Sequence, residues 1–188
     1  MTFINPILEL IQKNGNFSDE ETIRLEQELM YCQLEKNQII LNEGDISKVA
    51  YFMINGAIYQ YQYRASGNMK VIDLNTPNDW VINYSSFAFQ KPSRYTIQVH
   101  EECVAVGLSI ESINHLIKRS KSFLKIWKLL ERSSYTIDFD SYNIDYRRKY
   151  QYLLEKRPDI IKKFSLDIIA FYLDIEIEKL CEFKNVTR

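Results

Sequence analysis

The sequence predicts an α+β fold in which an antiparallel β sandwich or barrel sits between two helical regions. Two changes of hydrophobic period carry this expectation. Apolar residues recur at helical spacing before Cys32, fall into short strands between Cys32 and Val106, and return to helical spacing from Ser109. Composition is the third observation. The 188 residues are 46% hydrophobic and 13% aromatic, with only five Gly and four Pro. A chain this apolar buries a core, which excludes disorder and collagen-like or linker-like classes.

The N-terminal stripe Phe3, Ile7, Leu8, Leu10 and Ile11 predicts a first helix. Ser18-Asp19-Glu20-Glu21 supplies an N-cap and first-turn acids for a second, continued by Ile23, Leu25 and Leu29. Strands follow at Gln38–Leu41, Val49–Ile54, Ala57–Tyr63, Lys70–Leu74, Arg94–Val99 and Cys103–Val106. Turn clusters separate them: Asn42-Glu43-Gly44-Asp45, Asn55-Gly56, Ser66-Gly67-Asn68 and Thr76-Pro77-Asn78-Asp79. Asn55-Gly56 is a hairpin signal, and Ser85–Lys91 predicts a short helical turn within the strand series. Ser109-Ile110-Glu111-Ser112 starts a further helix. Phe123, Ile126, Trp127 and Leu130 then form one apolar face at i, i+3, i+4 and i+7. The tail contains three helical blocks, Ile144–Glu155, Leu166–Leu173 and Glu176–Lys184, the first ended by Pro158.

Charge and motifs narrow the function classes. Net charge is -1 and the pI about 6.2, so no global field recruits nucleic acid. No apolar run reaches the ~18–20 residues of a membrane span, and the N-terminus lacks the pattern of a secretory signal. Cys32, Cys103 and Cys181 are widely spaced and form no CxxC pair. That spacing predicts reduced thiols in a cytoplasmic protein rather than a disulfide framework or a zinc site. His100 and His115 stand alone, without metal-ligand spacing. No P-loop, GxSxG, HExxH or GxGxxG is present, and the expectation is a protein that is not an enzyme, with no cofactor and no metal.

In the tail, Ile169 and Leu173 lie at i, i+4 on one helix, with Ala170 small between them. Asp174 occupies a tight turn, and Ile175 and Leu180 anchor the next helix. This spacing fits a helix-turn-helix, whose second helix enters the DNA major groove. It also fits any compact three-helix unit.

With these residues in place, the chain resembles the Crp/Fnr family of bacterial transcription regulators, particularly short members with a degenerate ligand pocket. Asn42–Asp45, Tyr51–Gly56, Asp79-Trp80 and Lys91–Tyr95 are similar to the family's cyclic-nucleotide-binding β-roll. Arg147 to Pro158 is similar to the helix entering its DNA-binding domain. Ile169–Leu173 followed by Leu180 is similar to its helix-turn-helix. The resemblance implies an N-terminal β-roll or jelly-roll with flanking helices (residues 1–121), a long dimerisation helix and hinge (122–143), and a C-terminal winged-helix-like helix-turn-helix domain (144–188).

The resemblance also implies a homodimer that contacts DNA, with no membrane partner, and a pocket for an effector of unknown identity. The stripe Phe123, Ile126, Trp127 and Leu130 matches the dimer helix, or else packs on its own β-roll. The family's phosphate cassette carries Gly-Glu and then Arg-Ser. Asn83-Tyr84 and Arg94-Tyr95 stand there in this chain. The carboxylate for a ribose hydroxyl is lost, and Tyr84 and Tyr95 are bulky enough to fill the cavity, so cyclic AMP is not the expected ligand. Arg94 either holds another anion with Ser85 and Ser86, or lies at the surface or beside an acid such as Asp79. For DNA, the expected groove contacts are Lys179 and Lys184, with Arg147, Arg148, Lys162 and Lys163 on phosphates. From Ile144 onward ten Lys/Arg face eight Asp/Glu, a net of +2. The reading helix itself carries Glu176, Glu178 and Glu182. Those acids leave open a second reading: a ligand- or protein-binding module whose DNA-reading head has decayed.

Overall fold

The computed structural model describes residues 5–133 and 145–186. The first two helices are α1 (Asn5–Asn14) and α2 (Asp19–Glu28). A capping box starts α2: the Ser18 hydroxyl accepts from the Glu21 N–H at 3.2 Å, and Glu21 Oε2 accepts from the Ser18 N–H at 2.9 Å. The other carboxylate oxygen accepts from the Ser120 and Ser122 hydroxyls at 2.6 and 2.5 Å. Those donors hold Glu21 well below the usual carboxylate range, at about 2.

Eight strands form two antiparallel sheets. They are β1 (Met30–Leu34), β2 (Ile39–Leu41), β3 (Val49–Met53), β4 (Ala57–Tyr63), β5 (Met69–Asn75), β6 (Trp80–Val81), β7 (Thr96–Glu101) and β8 (Cys103–Ser109). One sheet has the order β1-β8-β3-β6 and the other β2-β7-β4-β5. Between them lies an apolar layer that includes Leu34, Met53, Ile58, Val81, Val99 and Ala105. The turn at Ser66-Gly67-Asn68 closes a true hairpin, since β4 pairs with β5. Asn55-Gly56 does not. It joins β3 of one sheet to β4 of the other, a corner rather than a hairpin. Gly56 has φ +83°, and a Cβ there would lie 2.3 Å from Cys103 Cβ, so the corner admits no side chain.

Helix α3 (Tyr84–Phe89) fills the predicted short turn. Then come α4 (Ile110–Arg119), a short 3₁₀ turn (Lys121–Phe123) and α5 (Leu124–Ser133). Ser109 caps α4 as expected, its hydroxyl accepting from the Ser112 N–H. With α1 and α2 these helices cover the outer face of the first sheet. A second apolar core forms there around Ile7, Leu25, Phe52, Phe87, Leu108 and Phe123.

The tail is helical throughout its described length: α6 (Tyr146–Lys156), α7 (Pro158–Lys163), α8 (Leu166–Leu173) and α9 (Ile177–Val186). Pro158 ends α6 but also opens α7 at its first turn, where its missing N–H is harmless, so the tail has four helices and not three. The wing expected beside the last helices has no strand among the described residues of the tail. Nor does the tail sit apart from the β structure. Its core residues Tyr150, Leu153, Ile169 and Leu180 join Ala57, Val71 and Leu74 in a third apolar cluster, with Tyr59 and Tyr61 packed against it. The molecule is therefore layered as helices, sheet, sheet, helices. The hinge expected within 122–143 falls on residues 134–144, which lie outside the described residues.

Candidate functional site

The predicted effector residues surround α3, and the structure commits most of them to one another. Asn83 caps α3: its Oδ1 accepts from the Ser86 N–H and the Ser85 hydroxyl, both at 3.1 Å. Its Nδ2 donates to Ser93 Oγ at 2.7 Å, and Ser93 Oγ donates to the Tyr95 carbonyl. Ser86 is fully buried; its hydroxyl donates to the Lys91 carbonyl at 2.6 Å and accepts from the Ser47 N–H at 2.9 Å. Tyr84 turns away from the space between the sheets and meets the Trp127 ring edge-on at 6.5 Å. Tyr95 packs against the inter-sheet core, and burial pushes its hydroxyl up. Arg94 projects into solvent, and Ser85 is exposed as well. Asp79, the acid considered as its partner, is instead 2.5 Å from Arg157. Arg94, Ser85 and Ser86 thus do not converge: one is exposed, one supports the helix cap, and one is a buried strut.

The stripe assigned to a second copy is consumed within its own chain. Phe123, Ile126 and Leu130 are fully buried under α1, α4 and the first sheet. Trp127 lies against Tyr84 and Phe87, at 6.5 and 5.7 Å between ring centroids. The reason is coverage: α1 packs directly on α5, and a core of this size needs that face.

In the tail, α8 and α9 meet through a turn at Asp174, which has φ 60°. Asp tolerates this left-handed conformation better than most residues. The turn is braced by Arg64 Nη2 on Asp174 Oδ2 at 2.6 Å. Ile169, Leu173 and Leu180 are buried together, as their spacing predicts. The basic residues separate into two groups. Lys179 Nζ stands 4.7 Å from the Tyr146 ring centre, and the Arg147 guanidinium 5.6 Å from the same ring. Arg148, one residue along α6, is exposed. Lys162 and Lys163 belong elsewhere: Lys162 is 3.7 Å from Asp159, and Lys163 is 3.1 Å from Glu101 of β7. Lys184 lies in α9, its side chain outside the described residues.

Sequence reasoning missed the seam between tail and roll. Arg157 Nη2 reaches Asp79 and the Leu74 carbonyl, and Phe164 stacks on His100 at 4.9 Å. The signal was indirect. Tyr59 and Tyr61 stand two residues apart in β4 and so share one face, and a pair of outward aromatics asks for a cover.

With this geometry described, comparison with known proteins is informative. Residues 31–120 match the family model described as the cyclic nucleotide-binding domain. The structure of FixK2 from Bradyrhizobium japonicum is similar at TM-score 0.67 and 13% identity, over 82% of this chain and 81% of that one. The Thermus thermophilus catabolite activator protein is similar at TM-score 0.56 and 14% identity, over 91% and 84%. The regulatory subunit of a cAMP-independent protein kinase A from Trypanosoma brucei is similar at TM-score 0.59 and 16% identity, over 76% and 49%. No curated protein sequence matches the chain. The β structure of this chain is a cyclic-nucleotide-binding-like domain. Solved structures similar to it include the N-terminal domain of a transcriptional regulator from Streptomyces coelicolor as well as the kinase regulatory subunit.

Proposed function

We propose that the chain is a Crp/Fnr-type transcription regulator, a non-catalytic homodimer in which the β-roll controls a DNA-reading helix-turn-helix. The observation that carries this reading is the pairing of a cyclic-nucleotide-binding-like roll with α8, a left-handed Asp174 and α9 around buried Ile169, Leu173 and Leu180. In this reading α9 enters the major groove, and Lys179 with Arg147 and Arg148 forms the local positive edge that meets it. Glu178 and Glu182 are not excluded from a groove, because a carboxylate accepts from cytosine N4. Two copies place their heads about 34 Å apart on successive turns. The roll does not use cyclic AMP: its cassette groups are spent on each other, and Asn83-Tyr84 stand where the family's Gly-Glu supplies the carboxylate for the ribose.

The test is binding of the full chain to random duplex DNA over a salt series. A regulator loses affinity linearly in log[salt], with a slope set by the phosphates it neutralises. Charge-reversed Arg147→Glu and Arg148→Glu flatten that slope. No binding at low salt, in a protein that sediments as a monomer, overturns the proposal. That outcome favours the second reading, a ligand- or protein-binding module with a decayed head. The observation behind it is specific: Glu178 and Glu182 are exposed on α9, and Glu176 is exposed just before it.

A further inference from the structure

The net charge of -1 conceals one strongly biased segment. Between Lys118 and Arg132 stand six Lys/Arg and a single acid, Glu131. Lys118, Arg119, Lys121, Lys125, Lys128 and Arg132 are all exposed, and none forms an ion pair among the described residues. Lys121 leads in from the 3₁₀ turn. Within α5, Lys125, Lys128 and Arg132 lie at i, i+3 and i+7 on one face, and with Leu129 they line a cavity of about 210 Å³. Two contacts hold Lys125 in place. Its Nζ lies over the Phe17 ring, 5.8 Å from the centre, and a Cβ on Gly15 would come within 2.9 Å of its Cδ. Lys13, exposed in the last turn of α1, is two residues before Gly15 and adds to the same field. Like charges at helical spacing cost stability, so the fold gains nothing from gathering them. Glu21, an acid that reaches the neighbouring 3₁₀ turn, is already held by the Ser120 and Ser122 hydroxyls.

We propose that the outer face of α5 binds the phosphate backbone of duplex DNA without regard to sequence. The stripe is linear, and so is the partner. From Lys125 to Arg132 α5 rises about 10 Å, and one strand of B-DNA places about three phosphates in that length. Other occupants fit worse. A membrane surface takes an amphipathic helix by its apolar face, and that of α5 is buried in the core as Ile126 and Leu130. A single strand needs aromatic rings for its bases, and Phe17, the ring beside the stripe, is stacked on Phe123 beneath Lys125. A second copy would bring the same cations against these. The choice of DNA among polyanions rests on the regulator reading; the demand for a polyanion does not. The stripe lies in the helical layer over the first sheet, apart from α8 and α9, and supplies affinity that the acids of α9 withhold.

The test is the slope of log K against log[salt] for the full chain on random duplex DNA. Lys125→Gln with Lys128→Gln removes two phosphate contacts at about 0.9 each, so the slope becomes shallower by about 2. Lys121→Gln with Arg132→Gln, at the ends of the stripe, is an independent pair with the same expected result. Lys36→Gln with Lys48→Gln changes the net charge equally, at exposed positions of the roll outside the stripe, and leaves the slope unchanged. Thermal unfolding shows that each variant is folded. An unchanged slope in both stripe pairs overturns the proposal, as does an equal change in the Lys36 and Lys48 control. So does binding of the wild type to phosphatidylglycerol vesicles but not to DNA, or self-association that the stripe variants abolish while DNA binding stays intact. The Arg147 and Arg148 variants separate the stripe from the reading head. A slope that flattens only with them keeps the head and removes the stripe; one that flattens only with Lys125 and Lys128 does the reverse.

Discussion

The loop around α3 and the seam beneath Trp80 both hold polar groups inside an apolar shell, and they resolve that burden in opposite ways. Around α3, Asn83, Ser86 and Ser93 are each under 5% exposed, and each makes at least two hydrogen bonds to the others or to nearby backbone. At the seam, Asp73 accepts only from neutral donors while the nearby Arg157 pairs with Asp79, and Trp80 Nε1 has no acceptor among the described residues. A closed network of this kind is scaffolding; it rigidifies the segment and leaves nothing for a ligand to gain. An open one leaves the cost of its unmet groups standing in the folded state.

The largest expected effect is on the closed network. Asn83→Ala strips the α3 cap, orphans the Ser86 N–H and takes one of the donors from the Ser93 hydroxyl, and destabilises by about 3 kcal/mol. Denaturant unfolding checks this as a lowered midpoint at constant slope. An unchanged midpoint means the cassette is looser than its geometry implies, and the contrast with the seam fails.

At the seam the sign reverses. Burial pushes Asp73 from 3.8 up to about 6, with Asp79 adding to the rise and the Asn75 amide, the Leu74 N–H and Arg157 opposing it. A carboxyl raised in the folded state keeps its proton there while the unfolded chain has already lost it. Stability from this group therefore falls as pH rises from about 3.8 to about 6, and stays low above that. Asp73→Asn removes that penalty at the expense of one accepted hydrogen bond, a net gain of about 2 kcal/mol at neutral pH. Unfolding free energies across that pH span are the check. Glu21 provides the internal control: its value is depressed, so its contribution is present above 4.5 and is lost as pH falls toward about 2. A pH profile identical in wild type and Asp73→Asn places the carboxyl in water, not in a seam.

The smallest effect is at Arg94. Exposed and outside the network, it changes stability by less than about 0.5 kcal/mol on replacement by Ala. A larger loss in thermal unfolding would show that it holds part of the cassette after all.

Most of the roll was legible because its signals are local. Ser18 and Ser109 announce their caps, Ser66-Gly67-Asn68 its turn, and in the tail Ile169, Leu173 and Leu180 their shared face. What stayed hidden depends on which surface meets which. Asn55-Gly56 reads as a hairpin in any local window, and only the sheet order shows that its two strands part. The Trp127 ridge is apolar whether its cover is a second copy or α1, and period alone does not choose. Asp73 looks like an ordinary strand carboxylate until Arg157, more than eighty residues later, is placed near it.

The outer face of the second sheet carries a further consequence. Tyr59 and Tyr61 stack at 5.3 Å, and with Val71 and Leu74 they are roofed by the four tail helices. Severing the chain between Ser133 and Asp145 would strip that roof and bare an aromatic plateau to water, inviting one roll to cling to the next. Roll and tail here are not beads on a string that shuffling can recombine; each covers the other's apolar face, and they must be made, kept and lost as a unit.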